Sequence, residues 1–167
     1  MSKDLVSFIQ DLYGTNGRIP LHEPFFDDRD KELLIETVDS TFVSSAGPLI
    51  SDFEKKIAEY TGSKYSIAVV NGTAALQISL ELSGVNPGDE VITQSLTFVA
   101  SVNAILQCRA SPIFIDVSKE TLGMSSESLK NFLDDHCEIR EKGCWTKKSR
   151  QYIKACLPMQ TFGFPCE

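Results

Sequence analysis

The sequence is short of histidine, of basic charge and of long apolar runs, and each shortage closes off a class of function. Only His22 and His136 occur among its 167 residues. Neither stands in a metal-ligand spacing, so no metal centre is expected. The five cysteines, Cys108, Cys137, Cys144, Cys156 and Cys166, are odd in number and never form a C-x-x-C pair. That distribution suits reduced thiols of the cytoplasm better than a disulfide framework or a zinc site. Sixteen lysines and arginines face 23 aspartates and glutamates, a net charge of −7. Nucleic-acid affinity depends on neutralising phosphates with basic side chains, so no nucleic-acid partner is expected. The longest cationic cluster, Lys147-Lys148-Ser149-Arg150, reads as a solvated turn. No apolar run is long enough for a membrane span or a secretory signal, so no membrane partner is expected either. Also missing are G-x-G-x-x-G and G-x-x-x-x-G-K-[ST], which removes local support for dinucleotide or P-loop triphosphate binding.

What is present has the composition of a globular domain, 42% hydrophobic and 23% charged, long enough to bury a core. Leu5, Phe8, Ile9 and Leu12 are spaced for one face of an amphipathic helix. A turn-rich connector over 14–24 follows and ends in the arm Ile19-Pro20-Leu21-His22-Glu23-Pro24, which its prolines keep extended. Asp27 or Asp28 caps a helix expected to run to about Thr41, with Leu33, Leu34 and Val38 on one face. A loop of small residues over 43–48 leads to a helix beginning near Ser51 and stopped by Gly62. Beyond it, strands are expected over 65–70, 90–93, 112–117 and 152–158. Helices are expected over 74–83 and 97–107, with another capped by Ser125. A polar stretch over 138–149 reads as a hairpin-like insertion. Strands alternating with helices imply βαβ units and a largely parallel, helix-covered sheet, an α/β fold.

Chemistry concentrates where the first of these strands meets a helix, at Val69-Val70-Asn71-Gly72-Thr73-Ala74-Ala75-Leu76. Free amides at a helix N-terminus, with the positive end of its dipole, form a phosphate site. Gly72 permits the tight turn, Thr73 adds a hydroxyl, and the small Ala74 allows close approach. The same residues also suit a plain helix cap, with Asn71 or Thr73 satisfying the first turn. Downstream, Thr97-Phe98-Val99-Ala100-Ser101 follows the second strand. Ligands of open α/β sheets gather beyond the carboxyl ends of strands. Phe98 is therefore either a ring that stacks on a flat heterocycle or an ordinary core residue.

Taken in order, several stretches form a series. They are Phe42-Val43-Ser44-Ser45-Ala46-Gly47-Pro48, Phe53-Glu54, Asn71-Gly72-Thr73-Ala74-Ala75-Leu76, Pro87-Gly88-Asp89-Glu90-Val91-Ile92, Thr97-Phe98-Val99-Ala100 and Pro112-Ile113-Phe114-Ile115-Asp116-Val117. This series resembles the DegT-type sugar aminotransferases, a branch of the fold-type I pyridoxal-phosphate (PLP) enzymes, over residues 19–167. The arm at 19–24, the run 39–45, the stretch 120–125, the insertion around Gly143-Cys144 and Pro158-Met159-Gln160-Thr161-Phe162-Gly163 resemble one subgroup most. That subgroup acts in bacillosamine and legionaminic acid biosynthesis. In the last stretch the family usually has histidine where this chain has Gln160.

The resemblance implies a three-layer αβα architecture, the large domain of a PLP-dependent transferase of the aspartate aminotransferase kind. Residues 1–24 would form an N-terminal helix and arm, and 25–167 the N-terminal part of that domain, with the rest of it and a small domain absent. It further implies pyridoxal 5'-phosphate as cofactor, held by Gly72, Thr73, Ala74, Phe98 and Asn103. Ser44, Ser45, Gly47 and Pro48 would border a nucleotide-sugar pocket, and Asp116 would be a structural strand-end residue. The implied reaction moves an amino group from glutamate to a UDP-linked 4-keto-6-deoxy-N-acetylhexosamine, in a cytoplasmic homodimer serving surface-glycan synthesis. In the family, the lysine that carries the cofactor and the aspartate facing its pyridine nitrogen lie later than residue 167. None of the eleven lysines here has a matching context, and Lys64 and Lys154 read as surface residues. This chain alone is therefore expected to be inactive and, with open sheet edges, to fold poorly by itself. Two other readings stay open: a non-catalytic phosphate-binding module, and a different α/β nucleotide-sugar enzyme.

Overall fold

The computed structural model describes residues 3–20, 22–45, 47–140 and 143–166. The chain divides into two units, residues 1–67 and 68–167.

The first unit contains α1 (Lys3–Tyr13), α2 (Asp28–Asp39) and α3 (Pro48–Thr61). Asp27 caps α2 reciprocally: its carboxylate accepts the Asp30 amide, and the Asp30 carboxylate accepts the Asp27 amide. Two of the free donors at the helix start are thereby satisfied. The helix ends at Asp39, earlier than expected, because Thr41 turns into the left-handed region at φ 64. In contrast, α3 begins earlier than the expected Ser51. Pro48 takes its first position, where a missing N–H costs nothing, behind Gly47 as N-cap. Gly62, at φ 70, stops the helix as expected.

The strand expected over 65–70, a segment that runs across the division at residue 67, does not form. Tyr65, Ile67 and Val70 are 75%, 81% and 88% exposed. A β-rich composition makes a strand only where a neighbouring strand completes the ladder, and this segment is not a member of either sheet. Among the described residues, the sheet of the second unit thus has three strands, not the four expected: β1 (Glu90–Gln94), β2 (Ser111–Ile115) and β5 (Ile153–Leu157), in the order β2-β1-β5. Both pairings of β1 are parallel. Helices α4 (Gly72–Leu82) and α5 (Val99–Gln107) pack together on one face, and α6 (Ser126–His136) lies against the other.

Every residue of β1 is buried, as a central parallel strand covered on both faces must be. Its side chains alternate between two cores. Val91 packs with Leu80, Ala104, Ile105 and Cys108 beneath α4 and α5. Ile92 packs with Ile115, Met124, Leu129 and Phe132 beneath α6.

The expected insertion is a hairpin, β3 (Cys137–Arg140) paired antiparallel with β4 (Gly143–Thr146). It is tied to the amino end of β1 by the buried Glu90 carboxylate, which accepts hydrogen bonds from the Thr146 hydroxyl at 2.6 Å and the Ser149 hydroxyl at 2.9 Å. A buried carboxylate needs such donors to offset its lost hydration. Gly143 is required here, since a Cβ would meet the Tyr152 ring at 2.7 Å.

Cys137, at the foot of the hairpin, is 7% exposed. Burial, with the neighbouring Cys144 second, pushes its thiol up to about 11. Only thiolate reacts with alkylating agents. Alkylation of Cys137, followed by mass spectrometry on protein kept native by circular dichroism, should therefore keep rising past about pH 10. A plateau near the pKa of an ordinary thiol would show that burial does not suppress ionisation.

Candidate functional site

From β1 the chain passes through α5 to β2 on one side, then returns through α6 and the hairpin to β5 on the other side. The connections diverge at β1, and ligands of open α/β sheets bind at such switch points, beyond the strands' carboxyl ends. A cavity of about 660 Å³ lies there. Gly72 and Thr73 of α4, Phe98 and Ser101 at the start of α5, and Met159 and Gln160 after β5 line it.

The α4 end is partly committed to its own cap. The Asn71 side chain accepts the Ala74 amide at 2.9 Å, and the first helical bond runs from the Ala75 amide to the Asn71 carbonyl. The amides of Gly72 and Thr73 are left without an acceptor among the described residues. The cap reading of this motif is met, and it does not use up the donors that the anion reading would need. Asn71 makes an ordinary cap, while two amides and the Thr73 hydroxyl stand at the positive end of the helix beside the cavity. For an anion to use the Ala74 amide, Asn71 would have to give way.

Phe98 is not a core residue: it is 71% exposed and its ring borders the cavity. It serves as N-cap of α5 in an extended conformation, φ −67 and ψ 140, so the helix expected from Thr97 starts at Val99. The Thr97 hydroxyl lies 2.9 Å from that of Ser101 and 3.2 Å from the Met159 sulfur, and the Phe98 amide points at the same sulfur at 3.3 Å.

Other expected residues fall elsewhere. Asn103 is exposed on α5 and does not line the cavity. Ser44, Ser45, Gly47 and Pro48 belong to the first unit. There the Ser44 carbonyl accepts the Gly47 amide at 3.4 Å and Gly47 is buried; Ala46 of the same loop, and Leu21 of the arm, lie outside the described residues. Asp116 accepts the Val117 amide at 2.8 Å and its carbonyl accepts that of Ser125, a strand-end arrangement. Met159 and Ser101 were not marked as site residues by sequence reasoning. Met159 lies in the 158–163 stretch that the family resemblance singles out, and Ser101 closes the 97–101 stretch after the second expected strand.

Helices on both faces of a parallel sheet, with an open helix N-terminus and an exposed aromatic ring beside a cavity at the switch point, define an α/β domain of the doubly covered, parallel-sheet class. An aminotransferase of Brucella abortus aligns with 87% of this chain at a TM-score of 0.67 and 30% identity, over 39% of its own length. The PLP form of a putative sugar aminotransferase of Streptococcus pneumoniae aligns with 69% of the chain at a TM-score of 0.58 and 30% identity, over 29% of its length. The chain belongs to the DegT/DnrJ/EryC1/StrS aminotransferase family, whose profile matches residues 24–167. Among relatives, a GDP-perosamine synthase of Caulobacter vibrioides is 33% identical over 150 residues. That match takes in 90% of this chain and 36% of the relative, so the chain spans about a third of the relative's length. The putative pyridoxal phosphate-dependent aminotransferase EpsN of Bacillus subtilis is 39% identical over 118 residues, which is 71% of this chain and 30% of EpsN.

If Asn71 and an anion compete for the Ala74 amide, Asn71→Ala should cost about 1 kcal/mol of stability through the lost cap without weakening phosphate binding. Chemical denaturation and a phosphate titration followed by amide chemical shifts measure the two effects. Weaker binding in the variant would make Asn71 a ligand instead of a competitor.

Proposed function

We propose that residues 25–167 are the N-terminal part of the cofactor-binding domain of a PLP-dependent sugar aminotransferase. One observation carries this reading: the unpartnered amides of Gly72 and Thr73 and the exposed face of Phe98 border one cavity at the switch point. They fit a phosphate joined to a flat aromatic ring, which is what pyridoxal 5'-phosphate is. Gly72 and Thr73 bind the phosphate through backbone amides and the Thr73 hydroxyl, with the α4 dipole favouring its charge. Phe98 stacks on the ring and fixes its plane. Bound PLP supplies the electron sink that amino-group transfer requires. No lysine lines the cavity among the described residues, so this chain's residues bind and orient, and the covalent attachment falls to residues elsewhere in the whole protein.

For that whole protein we propose a UDP-linked 4-keto-6-deoxy-N-acetylhexosamine as amino acceptor and glutamate as donor, in a cytoplasmic homodimer of surface-glycan synthesis. Support comes from the relatives, which include a UDP-4-amino-4-deoxy-L-arabinose–oxoglutarate aminotransferase of Shewanella sediminis and a spore coat polysaccharide biosynthesis protein of Bacillus subtilis. The subgroup likeness of the 19–24, 39–45 and 158–163 stretches favours the N-acetylated sugar. No helix among the described residues is long and apolar enough to cross a membrane. Ser44, Ser45, Gly47 and Pro48 are assigned to the sugar-nucleotide side and Asn103 to a supporting role.

Equilibrium dialysis with pyridoxal phosphate and with inorganic phosphate separates the two halves of the cofactor site. Phe98→Ala should weaken the cofactor about tenfold, the worth of one aromatic contact, and leave inorganic phosphate unchanged. Thr73→Val should weaken both about fivefold through the lost hydroxyl. Retention of pyridoxal phosphate that neither substitution alters would remove the cavity from the cofactor site.

A further inference from the structure

Gln94, the last residue of β1, is fully buried, and its side chain touches the loops leaving all three strands. Its amide nitrogen donates to the Leu96 carbonyl after β1 at 2.9 Å and to the Leu122 carbonyl in the loop after β2 at 3.3 Å. The same nitrogen reaches the Thr161 hydroxyl, beyond β5, at 3.1 Å. Its carbonyl oxygen accepts the Met159 amide at 3.0 Å. Thr161 completes the circuit by donating to the Leu122 carbonyl at 2.9 Å. Two residues here, Leu122 (φ 57) and Phe162 (φ 54), hold left-handed conformations that bulky side chains rarely adopt. Conformations of that kind persist only where the surroundings over-determine them.

We infer that Gln94 is a positioning residue for the cavity: through Met159 it fixes where Phe98 sits. The route is short. Gln94 holds the Met159 backbone, and the Met159 sulfur receives the Phe98 amide and lies beside the Thr97 hydroxyl. From the other side, the Leu96 carbonyl anchors the turn that leads into Phe98. Phe98 has no cap of its own from a side chain, and its ring is largely exposed, so packing alone does not set its angle. An amide is needed at position 94 because the loops present both acceptors and a donor. A carboxylate would set its charge against the Leu96 and Leu122 carbonyls, and a hydrocarbon would take away the partner that Gln94 gives the Met159 amide and the Leu96 carbonyl. The hydrogen bonds of Gln94 run to the loops and not to α4, so its influence is directed at the aromatic half of the cavity and not the phosphate half. This rests on the reading of the cavity as a cofactor site, but its first test does not.

Amide hydrogen exchange on the native chain, compared with Gln94→Met, reads the positioning directly. Exchange at Phe98 and Met159 should accelerate about tenfold, the effect of losing one ordinary hydrogen bond, while Val91 and Ile92 in β1 stay protected. Met159→Leu keeps Gln94 and removes only the sulfur, so Phe98 should again lose protection; this variant decides the matter if Gln94→Met does not fold. Unchanged Phe98 exchange in either folded variant overturns the inference, and a uniform loss across β1 reduces Gln94 to a core strut. In dialysis, Gln94→Met should weaken pyridoxal phosphate severalfold and leave inorganic phosphate unaltered, a split that general loosening does not produce. If the native chain retains neither ligand, the cofactor reading fails while the exchange result still stands or falls by itself.

Discussion

The double pairing of β1 is the constraint on which the second unit depends. A parallel strand hydrogen-bonded on both sides and covered on both faces has no route to water for any side chain. Both of its polar ends must therefore find partners inside the protein. Glu90 does so at the amino end with two hydroxyls from the turn of the hairpin connection. Gln94 does so at the carboxyl end with groups from three loops. Between them, Val91 and Ile92 divide the apolar surface into the two cores that hold the helices.

The two ends of this strand thus do different work. At the amino end a carboxylate fastens an insertion to the sheet. At the carboxyl end an amide gathers the loops around the cavity where Phe98 and the start of α4 meet. The charge types suit the tasks. A carboxylate only accepts, which matches two hydroxyl donors, whereas an amide can both donate to carbonyls and accept from a backbone N–H.

The helix cap at Asn71 shows a similar economy. One side chain stabilises α4 by accepting the Ala74 amide, and by doing so it leaves the first two amides facing the cavity. A structural cap and an anion site are usually weighed as rival explanations of the same motif. Here the cap takes one donor of the helix end and leaves two others without an acceptor among the described residues, so the two need not exclude each other. Around the sheet, the outer edges of β2 and β5 have no ladder partner among the described residues. This open geometry belongs to a chain spanning about a third of the relatives it matches.

Much of this protein could be read from local chemistry. Asp27, Ser125, Gly62 and the Pro87-Gly88-Asp89 turn act within a few residues of themselves, so the helix limits they set were legible in one dimension. The order of motifs from Phe42 to Val117 carried the family for the same reason, since order and spacing are properties of the chain alone. Residues 65–70 misled because their β-branched character expresses a preference that only a neighbouring strand can satisfy. Pro48 and Phe98 shifted two helix starts through backbone conformations that spacing does not display. Gln94 could be noticed only as a polar residue closing an apolar strand. Its role depends on loops up to 67 residues away in the chain, brought together by the sheet order β2-β1-β5. Sequence by itself determined most of the elements and their kinship, because capping, turn chemistry and motif order are local. Only the tertiary structure decided which amides stay free, which ring faces the cavity and which buried side chain joins the loops beyond the three strands. Those outcomes depend on burial and on long-range hydrogen bonds.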